Sequence, residues 1–223
     1  MNMALTLPGL ELDQIAHSIR EGGQDKAVLA PLQRHFQPGR FHVVGGPSGA
    51  GKTTLLSIMS LTVQPRRGAI RWRGAELTVL SGRAQSAWRR ANLGLIFQTS
   101  RLVSVMTVSE HIELSAVLRR DPAARAAGFA LIDKLGLSDK LGLLPAQLSG
   151  GEKQRLAIAQ ALCFAPPLLL ADEPTAALDQ ANAALVAATL RDYARDHQAV
   201  VICVSHDRTV IDAADDLLML ERP

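Results

Sequence analysis

Three stretches of this chain carry residue types that can hold phosphate groups and move a proton. Gly46-Pro47-Ser48-Gly49-Ala50-Gly51-Lys52-Thr53 fits the spacing GxxxxGK[ST] and lies between the apolar run FHVV and the helical pattern TTLLSIMSL. Glycines at that spacing let backbone N–H groups turn inward onto phosphate oxygens, and the positive end of the following helix reinforces them. Gly46, Pro47, Ser48, Gly49, Ala50, Gly51, Lys52, Thr53 and Thr54 are therefore expected to cradle a nucleoside triphosphate. Lys52 would place its charge on the β and γ phosphates, and the Thr53 hydroxyl would enter the coordination sphere of Mg²⁺. Further on, the apolar run Leu168 to Ala171 ends in Asp172-Glu173. Beside a phosphate loop this pair reads as the other half of the site, with Asp172 holding Mg²⁺ through water and Glu173 polarising an attacking water. Alternation along a strand would point the two carboxylates in opposite directions.

The third stretch, Leu148-Ser149-Gly150-Gly151-Glu152-Lys153-Gln154-Arg155, opens a helical pattern. Ser149 followed three residues later by Glu152 is a capping box, which starts many helices with no ligand at all. The two glycines add something: they strip side chains from the helix N-terminus and leave its N–H groups open to an anion. One chain then carries two anion-binding surfaces.

With these motifs in this order, the sequence resembles the ATP-binding subunit of ABC transporters from about Leu10 to Leu220. The resemblance implies that Leu148, Ser149, Gly150, Gly151 and Glu152 form the family's signature, set against ATP held by the Lys52 loop of a second copy in a head-to-tail dimer. It also implies that Gln98 reaches Mg²⁺ and the attacking water, that His206 contacts the γ-phosphate, and that Asp179 communicates across the dimer. The stretch IFQTSRLVSVMTVSEHIEL is similar to lipoprotein-releasing and macrolide-efflux ATPases, with Ser104 and His111 where proline and asparagine are frequent. A separate transmembrane permease, with a periplasmic adaptor in such exporters, is the implied partner. Two alternatives stand beside this reading: a cell-division type ABC ATPase that signals through a membrane partner without transport, and a small-molecule kinase built on the same phosphate loop.

The elements that must position these residues are legible in outline. LELDQI and AVLAPLQRHF, separated by Gly22-Gly23, read as half-exposed antiparallel strands joined by a turn. FHVV, LGLIF, LLLA and VVICV are short continuous apolar runs, the pattern of strands buried on both faces of a mostly parallel sheet. Helical patterns separate them, and between Thr107 and Pro167 helical spacing alone is visible. The expected fold is α/β, a phosphate-loop NTPase core with an N-terminal antiparallel β layer and an inserted helical subdomain. One domain is expected over residues 1–223, with the core at 1–98 and 167–223 and the helical part at 99–166.

Composition narrows the function classes. A chain of 223 residues with 48% hydrophobic and 20% charged residues can bury a core, and its longest apolar stretch is too short and proline-broken to span a bilayer. The N-terminus lacks a basic region and a continuous apolar core, so no secretory signal is read, and a place on the cytoplasmic face of the membrane is expected. The net charge of +3 gives no nucleic-acid footprint, and the arginines at 66, 67, 71 and 73 and at 83, 89 and 90 lack the serial aromatics of a base-stacking surface. Cys163 and Cys203 sit in apolar segments without metal-site spacing and read as reduced core thiols.

One departure from the family pattern generates a test. Where most members stack adenine on an aromatic ring, this sequence places Ile19, with His17 two residues earlier as the other candidate for that contact. Stacking on a base is worth roughly 1–3 kcal/mol in nucleic-acid systems, and isoleucine has no π face. Ile19→Tyr is expected to tighten a fluorescent ATP analogue at least several-fold in direct titration; no gain, together with a loss in His17→Ala, would move the adenine contact to His17.

Overall fold

The computed structural model describes residues 9–119 and 122–223. The start of the N-terminal segment read for a secretory signal, up to Pro8, lies outside the described residues, as do two positions after Arg119. Strands β1 (Leu10–Glu21) and β2 (Gln24–Phe36) form the antiparallel hairpin expected from their alternation. β4 (Arg67–Trp72) and β5 (Ala75–Glu76) extend it into a four-stranded sheet of order β2-β1-β4-β5. The second sheet is parallel, of order β6-β7-β8-β3-β9, built from β3 (Arg40–Gly45), β6 (Leu93–Ile96), β7 (Leu168–Asp172), β8 (Val200–Val204) and β9 (Asp216–Met219).

The apolar runs form the central strands because both of their faces are covered. In β8, Val201 and Cys203 enter one core while Val200, Ile202 and Val204 enter the other, and β7 divides in the same way between Leu169 and Ala171 and Leu168 and Leu170. The first core packs against α5 (Gly150–Leu162) and α6 (Gln180–His197) and takes in Ile112 of α3 (Val108–Arg119) and Ile132 of α4 (Pro122–Lys134). The second lies between the two sheets and encloses α1 (Lys52–Met59), whose Leu55, Ile58 and Met59 are fully buried. The described residues also include the α-helices α2 (Gly82–Asn92) and α7 (Arg208–Asp212). Among the described residues, no helix is long and apolar enough to cross a membrane, and neither cysteine is in a disulfide.

The arginine cluster at 66–73 turns out to be a strand. Ile70 and Trp72 face the core while Arg67 and Arg71 face outward, so the charges obscured a period-2 pattern. Arg71 donates to Asp13 at 3.1 Å, and Trp72 packs edge-on against Trp88 at 6.1 Å, so these rings are core and not a base-stacking surface.

A half-buried polar clasp joins the two sheets at their edge. Arg34 of β2 donates to both carboxylate oxygens of Asp216 on β9 at 2.6 Å, and Asp216 also meets Nδ1 of His42 on β3 at 2.8 Å. The other ring nitrogen of His42 faces the Gln37 carbonyl at 2.9 Å, and His42 is 1% exposed. Burial pushes the Asp216 carboxyl up, but hydrogen bonds from Arg34 and His42 outweigh this and hold it below the usual aspartate value. A carboxyl lowered by folding adds stability above its unfolded pKa and loses it as pH falls through the folded one. Asp216→Asn is therefore expected to cost about 2 kcal/mol in urea unfolding at pH 7, between exposed and fully buried pairs, and the gap to wild type should narrow as pH is lowered toward 3. A gap independent of pH would remove the ion pair from the account.

Candidate functional site

The carboxyl ends of β3, β7 and β8 meet at one edge of the parallel sheet, which is where open α/β sheets place their ligands. β3 enters the phosphate loop at Gly46, and the loop closes on α1 through Gly51, which has φ 86°. Two glycines here are dictated by space as well as by dihedral angle. A Cβ on Gly46 would lie 2.5 Å from the Leu220 carbonyl oxygen, and one on Gly51 would lie 2.3 Å from that of Val28. The loop is thus pressed between the chain beyond β9 and strand β2. Lys52 bends back and donates to the carbonyls of Gly46 at 2.7 Å and Pro47 at 3.0 Å, which holds its ammonium across the loop mouth.

The cleft has a volume of about 690 Å³. Gly46, Pro47, Ser48, Gly49, Gly51, Lys52, Thr53 and Thr54 form one wall, and Gln98, Asp172, Glu173, Val204 and His206 form the other. Ala50 is not among the lining residues: its side chain is buried in the core, and its N–H closes a turn onto the Pro47 carbonyl at 3.2 Å.

Asp172 is the last residue of β7, and Glu173 leaves the strand with φ 45°. The expectation that strand alternation points these carboxylates in opposite directions is corrected here: β7 ends at Asp172, Glu173 makes a left-handed turn held by its N–H donating to the Val204 carbonyl at 2.9 Å, and both carboxylates line the same cleft. Both Glu173 oxygens are then engaged. Oε1 meets His206 Nδ1 at 2.7 Å, and Oε2 accepts from the Ser205 hydroxyl at 3.3 Å. The Glu173 side chain is 12% exposed and that of His206 76%, so an aimed carboxylate lies behind a histidine that faces solvent. Burial, then the neighbouring Glu173, push the Asp172 carboxyl up, and Lys52 opposes them.

The signature residues do not line this cleft. Ser149 caps α5, its hydroxyl accepting from the Glu152 N–H at 3.2 Å while the Glu152 carboxylate accepts from the Ser149 N–H at 2.7 Å. That bond from the Ser149 N–H holds the Glu152 carboxyl below its usual value. Leu148 is buried, and Gly151 sits where a Cβ would lie 3.0 Å from the Leu178 side chain. Asp179 caps α6 and accepts from the Asn182 N–H at 2.8 Å, which keeps its carboxyl low, and Arg155 of α5 donates to the Asn182 side chain. Ile19 is exposed opposite Lys26 and His17 pairs with Leu29; neither lines the cleft, whereas Val28 does.

Sequence reasoning missed several residues here. Arg222 donates to the Ser48 carbonyl at 3.2 Å, and Asp207 accepts from the Thr175 hydroxyl at 2.9 Å, bracing the chain after Glu173 against that after His206. Asp207 follows the histidine directly and carried a readable helix-cap signal; Val28 and Arg222 carried none.

Residues 29–176 match the family model described as ABC transporter. The chain is 33% identical over 209 residues to the lipoprotein-releasing system ATP-binding protein LolD 1 of Rhodopirellula baltica, covering 93% of this chain and 91% of that one. It is 38% identical over 208 residues to the macrolide export ATP-binding/permease protein MacB of Sodalis glossinidius, covering 92% of this chain and 32% of that longer protein. Its structure is similar to that of the bacterial ABC transporter cassette MJ0796 solved as a dimer, with TM-score 0.87 and 27% identity over 96% of this chain and 94% of that one. The same cassette in a post-hydrolysis dimer bound to ADP and Pi gives TM-score 0.86 at 28% identity, over 95% of this chain and 94% of that one. Matched by that family model over more than half its length, the chain belongs to the ABC transporter family, as an ATP-binding cassette that hydrolyses ATP to ADP and phosphate.

Proposed function

We propose that this cassette works as a head-to-tail homodimer, in which the Ser149-Gly150-Gly151 surface of each copy closes on ATP held by the Lys52 loop of the other. The carrying observation is that this surface lies outside the cleft of its own chain. A helix N-terminus that opens on two glycines and does not line its own nucleotide site has a natural partner in the nucleotide of a second copy. The MJ0796 cassette, solved as a dimer, supports a working unit of two copies.

Each group in the cleft then has a job. The loop N–H groups and Lys52 hold the phosphates, and Lys52 exchanges its bonds to the Gly46 and Pro47 carbonyls for phosphate oxygens. Glu173, oriented by His206 and Ser205, accepts a proton from the attacking water as its oxygen bonds to the γ-phosphorus and the bond to the bridging oxygen breaks, leaving ADP. His206, exposed and held by Glu173, is placed to donate to the γ-phosphate. Thr53, Gln98 and Asp172 offer oxygen donors on both walls of the cleft, a hard set that fits Mg²⁺ with several waters retained. Two adjoining carboxylates against one lysine leave a place for a cation, which when bound would neutralise charge on the β and γ oxygens.

We infer that residues 99–166 move as a helical signature subdomain on the 1–98 and 167–223 core, and that dimer closure drives a separate transmembrane permease from the cytoplasmic face of the membrane. MacB, whose name joins ATP binding and permease in one protein, supports a membrane partner, and LolD 1 supports an export-type or lipoprotein-releasing system. Copurification with that permease and identification of the bound cargo tests this part. For the chemistry, Glu173→Gln is expected to bind ATP normally and to slow hydrolysis by at least the roughly 10²-fold typical of a lost general base. With MgATP it should elute as a dimer where wild type is mainly monomeric; a variant that hydrolyses normally would overturn the role of Glu173.

A further inference from the structure

Strands β2, β3 and β9 hold the phosphate loop, and one buried histidine joins all three. β3 runs into the loop at Gly46, and β2 sets the Val28 carbonyl against Gly51. The chain leaving β9 sets the Leu220 carbonyl against Gly46 and donates from Arg222 to Ser48. His42 belongs to β3, bonds Asp216 of β9, and reaches the end of β2 through the Gln37 carbonyl and the Phe36 ring, which lies edge-on at 5.2 Å. Asp216 stands opposite His42 and Met219 opposite Gly45, and the Leu220 N–H donates to the Gly45 carbonyl at 2.9 Å. The clasp and the loop are therefore the two ends of one ladder, roughly 10 Å apart at the usual strand rise. A tilt of β9 at Asp216 is carried into the segment that flanks Gly46 and Ser48.

Both ring nitrogens of His42 face acceptors, Nδ1 a carboxylate oxygen of Asp216 and Nε2 the Gln37 carbonyl. The imidazolium donates to both, whereas the neutral ring has one N–H and turns a lone pair on the other acceptor. The clasp has a tighter state with the proton and a looser one without it. Of the charged groups around the ring, Asp216 favours the proton, and Arg34, which shares that carboxylate, opposes it. Asp215 is engaged by the Phe41 N–H and by Arg191 and Arg195 of α6, His35 of β2 accepts from the Gly9 N–H, and β8 sets the apolar Ile202 beside His42.

We propose that His42 is a positioning residue whose proton draws β2 and β9 together around the phosphate loop, so that the protonated clasp binds nucleotide more tightly. This rests on the reading that the Lys52 loop holds the phosphates. Loss of the proton frees one of the two bonds, and the flanks that press on Gly46 and Gly51 lose a common anchor. The coupling is reciprocal, so bound nucleotide favours the proton on His42.

Titration of the full chain with a fluorescent ADP analogue and excess Mg²⁺, from about pH 6 to about pH 8.5 where histidines change charge, tests this. The probe lacks the γ-phosphate read for His206, and Mg²⁺ keeps its phosphates ionised throughout. Wild-type affinity should fall at least threefold as the pH rises. His42→Asn keeps a donor toward Asp216 and has nothing to titrate, so at every pH it should bind like wild type at high pH. A purely structural role would weaken the variant by a factor that does not change with pH, and that constant ratio overturns the proposal. A wild-type affinity that does not fall overturns it as well and needs no variant to fold. Lys52→Ala should lose binding at every pH; if it binds like wild type, the loop is not the phosphate site, and the proposal fails with that reading.

Discussion

Parallel pairing of β3 with β8 and of β8 with β7 is the constraint on which the rest depends. Parallel strands cannot be joined by tight turns, so each is followed by a crossover, and every carboxyl end comes to the same edge. That edge receives Gly46 from β3, Asp172 and Glu173 from β7, and Ser205 and His206 from β8. The residues are far apart in sequence, and strand register alone brings them together: Asp172 stands opposite Val204, so Glu173 and Ser205 leave the sheet side by side. The apolar strands that look purely structural thus fix the distance between the carboxylate and the histidine.

Electrostatics at that edge is balanced for an anion that arrives with its own cation. Lys52 rests on carbonyl dipoles of its own loop, and Asp172 is pushed up by burial and by Glu173. On the proposed reading both groups would relax with a triphosphate and a divalent ion in place: the ammonium would gain oxygens of full charge, and the carboxylates a counterion. Glu173 is treated differently. Its oxygens are bonded to His206 and Ser205, so it is aimed more than it is charged against a partner.

The phosphate loop, the Asp172-Glu173 pair and the capping box of Ser149 and Glu152 were legible because local spacing encodes them, and so were the four apolar strands. The β4 strand was not, since arginine on its outer face imitates a solvated basic cluster until Ile70 and Trp72 are seen to alternate with it. The turn at Glu173 was misread as a continuing strand because a non-glycine residue at φ 45° leaves no local signature. Gln154, Arg155 and Arg222 act through hydrogen bonds across 57, 27 and 174 residues of sequence, and Val28 lines the cleft from a neighbouring strand; spacing cannot show such contacts. The core position of Ala50 belongs to the same class: the motif predicts where its backbone runs, and packing decides where its methyl goes.

The cleft holds Lys52 and Glu173 but not Ser149, and the proposal that a second copy supplies the missing serine is the central claim. Mixing two inactive proteins tests it most directly, with Glu173→Gln in both so that ATP is not consumed. One carries Lys52→Ala and the other Ser149→Arg. In a head-to-tail dimer of the two, one composite site keeps both its lysine and its serine, and all the damage falls on the other. Each protein alone should stay monomeric with MgATP on a sizing column, and the mixture should elute as a dimer retaining ATP. A mixture that remains monomeric at high concentration, or Ser149→Arg that dimerises unaided, would contradict the account.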